Sequence, residues 1–168
     1  MWGKSAKAEA PWNARTMPNE PMEPIYQARY RHGVDDKRRV QIPAKWRPAG
    51  EGVEFALILW PHNGQPDACL LVLPPDAFAE LVAKIKAMSF SDRKAEALRR
   101  ILGEKSDRVQ LDKAGRICLP DWMASAAGIK NEAVLNGMFD RFQIWSPERY
   151  EETRAAVDAL APDAFSLI

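Results

Sequence analysis

Apolar positions along this chain alternate between two patterns. Runs such as 53–60 and 68–73 are almost continuously apolar and read as strands. Other stretches place apolar residues at helical spacing. After Pro75, residues Phe78, Leu81, Val82, Ile85 and Met88 share one face, and within 92–102 Ala95, Leu98, Ile101 and Leu102 do the same. Ser91 reads as the cap of that second helix and Gly103 as its stop. Strands are expected at 25–31, 39–42, 53–60, 68–73, 108–111, 116–119, 133–136 and 142–145. Segment 25–31 is expected to pair with 39–42 across a tight turn, and 108–111 with 116–119 likewise; 61–67 reads as a loop. Pro43 and Pro120 each open a short helical segment, the second ending at Gly128. Ser146-Pro147-Glu148 opens a last helix with the stripe Tyr150, Thr153, Val157 and Leu160.

The order of elements occurs twice. Residues 34–43 read VDDKRRVQIP and residues 111–120 read LDKAGRICLP, so both are apolar-Asp-x-x-x-Arg-apolar-x-apolar-Pro. Asp35 and Asp112, Arg39 and Arg116, and Pro43 and Pro120 all stand 77 residues apart. Pro75 and Pro147 stand 72 apart, so the first half carries five extra residues, placed in the stretch PHNGQPD. About four short strands per half are too few for a core. Two halves that interleave their hairpins would close a small barrel with few exposed edges. The expected fold is mainly β with flanking helices (α+β), a pseudo-twofold barrel made by two tandem repeats in one chain. Its expected parts are an extension over 1–24, a first repeat over 28–76, connecting helices over 77–104, a second repeat over 106–149, and a C-terminal helix and tail over 150–168. The extension has prolines at 11, 18, 21 and 24 and no apolar period. It reads as disordered or loosely docked, with Trp2 and Trp12 its only large anchors.

Charge sharpens this picture. The net charge of +1 hides a basic N-terminal segment, with seven Lys/Arg between residues 29 and 47 against Asp35 and Asp36. Residues 140–168 carry six acids against three arginines. Local balance of this kind governs docking more than the total does. Cys69 and Cys118 lie in apolar runs without metal-ligand spacing and read as buried thiols of a reducing cytosol. His32 and His62 have no ligand spacing either. There is no nucleophile elbow, zinc-protease helix or phosphate-binding glycine loop, and no apolar run near the roughly 18 residues of a membrane span. Enzymatic activity, a metal, a cofactor, a small-molecule substrate and a membrane partner are therefore not expected.

The repeated motif has two compatible readings. Asp35 and Asp112 can accept N–H groups of their own turns, and an arginine four residues on lies within reach of each carboxylate. Gly115 suits a turn position with positive φ, where the first copy has Arg38. On one reading these are turn braces alone. On the other, the turns project Arg39 and Arg116 from a barrel face, flanked by Lys37, Arg38 and Lys113. A guanidinium so held can pair bidentately with a phosphate or with guanine O6/N7.

Three segments resemble the MraZ family of bacterial transcriptional regulators, which are encoded with the division and cell-wall gene cluster. They are GVDDKRRVQIPAKWR, ACLLVLPPDAF, and the long stretch from LDKAGRICLP to FQIWSPERYEE, in matching order from about residue 25 to 152. The resemblance implies tandem SpoVT/AbrB-type repeats in a double-split, swapped-hairpin barrel. It implies ring-shaped homo-oligomers, octameric or larger, that bind double-stranded DNA at short G-rich promoter repeats in the cytoplasm, associated with the nucleoid. Control of the protein's own operon, often as a repressor, follows. Arg39 and Arg116 carry over as DNA-facing residues, and Asp35 and Asp112 as residues that shape the turn. AbrB-like folds also serve as antitoxin-like or protein-interaction modules, the alternative expectation.

Overall fold

The computed structural model describes residues 23–168. The expected extension over 1–24, with Trp2 and Trp12, lies outside the described residues apart from its last two. The elements are β1 (Arg29–Gly33), β2 (Arg39–Gln41), a 3-10 turn (Ala44–Trp46), β3 (Glu54–His62), β4 (Gln65–Leu73), α1 (Pro75–Lys86) and α2 (Arg93–Glu104). There follow β5 (Ser106–Gln110), β6 (Arg116–Cys118), α3 (Asp121–Ala126), β7 (Glu132–Gly137), β8 (Phe142–Trp145) and α4 (Pro147–Phe165).

Six strands form an antiparallel sheet in the order β1-β7-β8-β4-β3-β5, and β2 pairs with β6 in a separate ribbon. Exchanging β1–β4 for β5–β8 leaves both orders unchanged. Registers follow the same exchange. β1 runs along β7 from Arg29↔Asn136 to Gly33↔Glu132, and β5 along β3 from Glu54↔Gln110 to Ile58↔Ser106. The mainly antiparallel α+β class is thus found. A closed barrel is not, because β1 and β5 remain as sheet edges and the ribbon stands apart.

Pairing of 25–31 with 39–42, and of 108–111 with 116–119, is not found either. Only the bridge Val34↔Val40 spans the first turn. β2 and β6 have three residues each and cannot cover their own apolar residue. Pairing across the repeats sets Val40 opposite Ile117, and both are fully buried. Left-handed Ala28 (φ 77°) delays β1 to Arg29, while Tyr26 bridges Phe139 instead.

β3 and β4 explain their continuous apolar runs. Phe55, Leu57, Leu59, Leu70 and Val72 pack toward Val40, Ile42, Trp46, Ile117, Leu119 and Met123. Ala56, Ile58, Leu71 and Leu73 pack on the opposite face with Ala77 of α1 and Leu102 of α2. Trp46 centres the larger cluster, 5.2 Å from Tyr30 and 5.0 Å from Phe142 between ring centroids. Its Nε1 donates to the Gln27 carbonyl (3.0 Å), so a buried polar atom is satisfied while residues 26–27 are tied to the core.

Five local expectations are corrected. The 61–67 loop is strand for most of its length, turning at Asn63 (φ 47°) and Gly64 (φ 78°) as a primed two-residue turn does. Pro61 fits because it sits at the register shift between Trp60 and His62, where no ladder donor is required. Asp92, not Ser91, caps α2, accepting from the N–H groups of Lys94 (2.8 Å) and Ala95 (3.4 Å). Ser91 is engaged with Ser89, and the helix continues through Gly103 to Glu104 because Leu102 is anchored in the core. On α4, Val157 and Leu160 are exposed rather than buried, since nothing among the described residues covers that part of the helix. Cys69 is buried, and burial pushes its thiol up to about 12, but Cys118 is exposed on the outer face of the ribbon.

Candidate nucleic-acid interface

The two Asp-x-x-x-Arg turns match bond for bond. Asp35 Oδ1 accepts the N–H groups of Lys37 (3.0 Å) and Arg39 (2.8 Å), and its Oδ2 accepts Arg39 Nε at 2.7 Å. Asp112 Oδ1 accepts the N–H groups of Ala114 (2.9 Å) and Arg116 (2.8 Å), and its Oδ2 accepts Arg116 Nε at 3.1 Å. The chain closes each turn through Arg38 N–H to the Asp35 carbonyl (2.9 Å) and Gly115 N–H to the Asp112 carbonyl (3.0 Å). Arg38 adopts φ 59° where Gly115 has φ 79°, so the arginine keeps the same turn in a conformation that costs a non-glycine residue about 1 kcal/mol.

These bonds set the local electrostatics. The Arg39 N–H, and then its guanidinium, hold the Asp35 carboxyl below the usual carboxylate range; the Arg116 N–H and guanidinium do the same for Asp112. Asp35 in turn raises the Arg39 guanidinium. Each arginine is held through Nε. Its two terminal nitrogens have no hydrogen-bond partner among the described residues, which leaves a planar pair of donors aimed outward.

The ribbon places both arginines on one face. Arg39 pairs with Cys118, Val40 with Ile117, and Gln41 with Arg116. Val40 and Ile117 point inward, so Arg39, Gln41, Arg116 and Cys118 all face outward. The other two outward residues tie the ribbon to the turns. Gln41 Nε2 donates to the Ala114 carbonyl (3.0 Å), and Cys118 Sγ donates to the Lys37 carbonyl (3.2 Å). Sequence reasoning missed both roles, although the apolar-x-apolar spacing of 40–42 and 117–119 marks each as an outward position.

Of the flanking cations, Lys37 and Lys113 are exposed and form no ion pair among the described residues. Arg38 turns inward. Its Nε donates to the Leu119 carbonyl (3.1 Å), and its Nη1 lies 3.9 Å from Asp121. Gly115 is buried beneath the Arg47 guanidinium. Among the described residues no group of three or more His, Cys, Asp or Glu could hold a metal ion, and no helix is long and apolar enough to cross a membrane.

A family model described as "MraZ protein, putative antitoxin-like" matches residues 104–162, from the end of α2 into α4. Proteins named transcriptional regulator MraZ match far more of the chain. That of Herpetosiphon aurantiacus is 36% identical over 143 residues, covering 85% of this chain and 94% of the relative. The one from Thermomicrobium roseum is 34% identical over 140 residues, covering 82% and 93%. That of Desulfitobacterium hafniense is 34% identical over 146 residues, covering 86% and 97%. With identity of this level spread across both repeats, the chain belongs to the MraZ family of transcriptional regulators.

Proposed function

We propose that this protein is a DNA-binding transcriptional regulator that presents the β2·β6 ribbon to the major groove, with Arg39 and Arg116 reading or clamping the duplex and Lys37 and Lys113 contacting phosphates. The observation that carries the proposal is the outward pair of arginines, each fixed through Nε to its own aspartate. A two-stranded ribbon fits a groove about 12 Å wide, and bidentate Arg–guanine pairing is the commonest specific contact there. Bracing matters because a guanidinium held in one orientation has less freedom to lose on binding.

The finer parts of the proposal rest on family likeness and on chemistry. Targets are short G-rich repeats in the promoter of the protein's own division and cell-wall operon, which it represses. Two arginines and a few lysines per protomer are too little for tight binding. Ring-shaped homo-oligomers, octameric or larger, would set several ribbons against several repeats and raise the effective concentration. The exchange of strands between halves supports a double-split, swapped-hairpin arrangement of the AbrB type, working in the cytoplasm at the nucleoid. A second reading, an antitoxin-like interaction module, draws on the description of the matching family model.

Fluorescence anisotropy separates the two readings. The full chain is titrated onto a duplex with several TGGG-type repeats and onto a scrambled duplex of equal composition. Preference for the repeated duplex, with affinity falling steeply as salt rises, is the expected result. Equal weak binding to both would favour the interaction module.

A further inference from the structure

The repeats are related by 77 residues through this region: β1 maps onto β5, β2 onto β6, and the buried Trp46 onto the buried Met123. The same shift maps Arg38 onto Gly115, Ile42 onto Leu119, and Arg47 onto Ala124. At one junction the second turn meets the end of the first repeat's strand, where Ile42 N–H donates to the Gly115 carbonyl (2.8 Å). Arg47 Nε donates to the Ile42 carbonyl there (2.9 Å), and its guanidinium occupies the space that a Cβ on Gly115 would need. At the other junction Leu119 N–H donates to the Arg38 carbonyl (2.8 Å), and Arg38 Nε donates to the Leu119 carbonyl (3.1 Å). Ala124, buried and short, stands where the counterpart of Arg47 would be.

Equivalent carbonyls thus each receive one guanidinium by opposite routes. At the first junction the arginine comes from beyond the 3-10 turn and the turn supplies glycine. At the second the turn itself supplies the arginine and the helix supplies alanine. An arginine from both sides would crowd one carbonyl; an arginine from neither would leave it bare.

We propose that Arg38 and Arg47 are positioning residues that clamp each Asp–Arg turn to the strand end of the opposite repeat, so that Arg38 is committed to this junction rather than to DNA. Each clamped turn position, 38 and 115, is the immediate neighbour of an outward arginine, so the clamp sets where Arg39 and Arg116 point. This role rests on the DNA-binding reading, but the clamp itself can be tested without it.

The test uses the full chain as Arg38→Gly, Gly115→Arg, Arg47→Ala and the double variant Gly115→Arg/Arg47→Ala, read by thermal melting and by anisotropy on the repeated duplex across a salt series. Gly115→Arg and Arg47→Ala should each lower the melting temperature and the affinity. Their combination rebuilds the arrangement of the other junction and should recover both toward wild type. Simple addition of the two losses would overturn the clamp. Arg38→Gly should weaken binding while leaving the slope of log affinity against log salt unchanged. A slope smaller by about one would mean that Arg38 contacts a phosphate, and would overturn its assignment. Should wild type bind the repeated and scrambled duplexes alike, the DNA reading fails, and recovery or addition in the melting series still decides the clamp.

Discussion

Arg39 and Arg116 stand diagonally across the β2·β6 ribbon, Arg39 opposite Cys118 and Arg116 opposite Gln41, with both on the outward face. Diagonal neighbours of this kind lie about 7–8 Å apart, close enough for two guanidinia to enter one groove together. Each arginine side chain is 32% exposed and bonded to its aspartate through one nitrogen, so its removal should cost the fold little. Exposed ion pairs contribute about 0–1 kcal/mol. Arg39→Gln and Arg116→Gln should therefore shift the melting temperature only slightly while weakening DNA binding strongly. Large melting losses without a binding effect would reduce both arginines to braces.

The aspartates should behave in the opposite way. Asp35 and Asp112 each accept two backbone N–H groups that nothing else in the turn satisfies. Asp35→Ala or Asp112→Ala should lower the melting temperature more than Arg39→Gln does, because two N–H groups of the turn lose their acceptor, and should lower affinity as a consequence of a loosened arginine. Melting curves of the two variants beside Arg39→Gln check the order.

Acid should loosen the same turns. Both carboxyls are held below the usual range in the folded chain, chiefly by the N–H groups of Arg39 and Arg116. A depressed folded value means that the stabilisation is complete above the unfolded value, about 3.9 for aspartate, and is lost as pH falls through the folded value. Melting temperature should decline below about pH 4, and less steeply in Asp35→Asn/Asp112→Asn, which keeps one acceptor oxygen for the backbone N–H groups, gives up the one that receives the arginine, and cannot titrate. Parallel curves for the two proteins would contradict this.

The cap of α2 gives a clean local comparison. Asp92→Ala should destabilise by about 1 kcal/mol, whereas Ser91→Ala, outside the helix, should be near neutral. Equal effects in chemical denaturation would argue against the assigned cap.

Gly137 is required for a reason of space. A Cβ there would collide with the backbone of Tyr26, which bridges Phe139 beside it. Gly137→Ala should cost about 1–3 kcal/mol by overpacking and should speed hydrogen exchange at Tyr26, whose N–H donates to the Phe139 carbonyl. Unchanged exchange would show that residues 26–28 can shift at no cost.

What the sequence made legible follows from how local each feature is. Continuous apolar runs identified β3 and β4 because both faces of those strands are covered, and helical spacing identified α1. The turn braces were legible because Asp and Arg four residues apart interact within one turn, and a second copy repeated them. Partner choice was not legible. Val40 had to be buried, but nothing in its neighbourhood says that Ile117 lies across from it. Arg38 read as an outward cation because it sits among Lys37 and Arg39. Its actual acceptor, the carbonyl of Leu119, is 81 residues away and exists only once the halves are interleaved. The cap of α2 was misplaced by one residue because Ser91 and Asp92 are both good capping residues, and their competition is settled by the Ser89–Ser91 contact.

DNA recognition by the paired arginines is tested by comparing wild type with Arg39→Gln/Arg116→Gln by anisotropy on the repeated and scrambled duplexes at several salt concentrations, with melting temperatures taken on the same samples. Wild type should bind the repeated duplex specifically with a steep negative salt dependence, and the double variant should lose that specificity while still melting cooperatively near the wild-type temperature. Identical weak binding of both proteins to both duplexes would contradict this recognition.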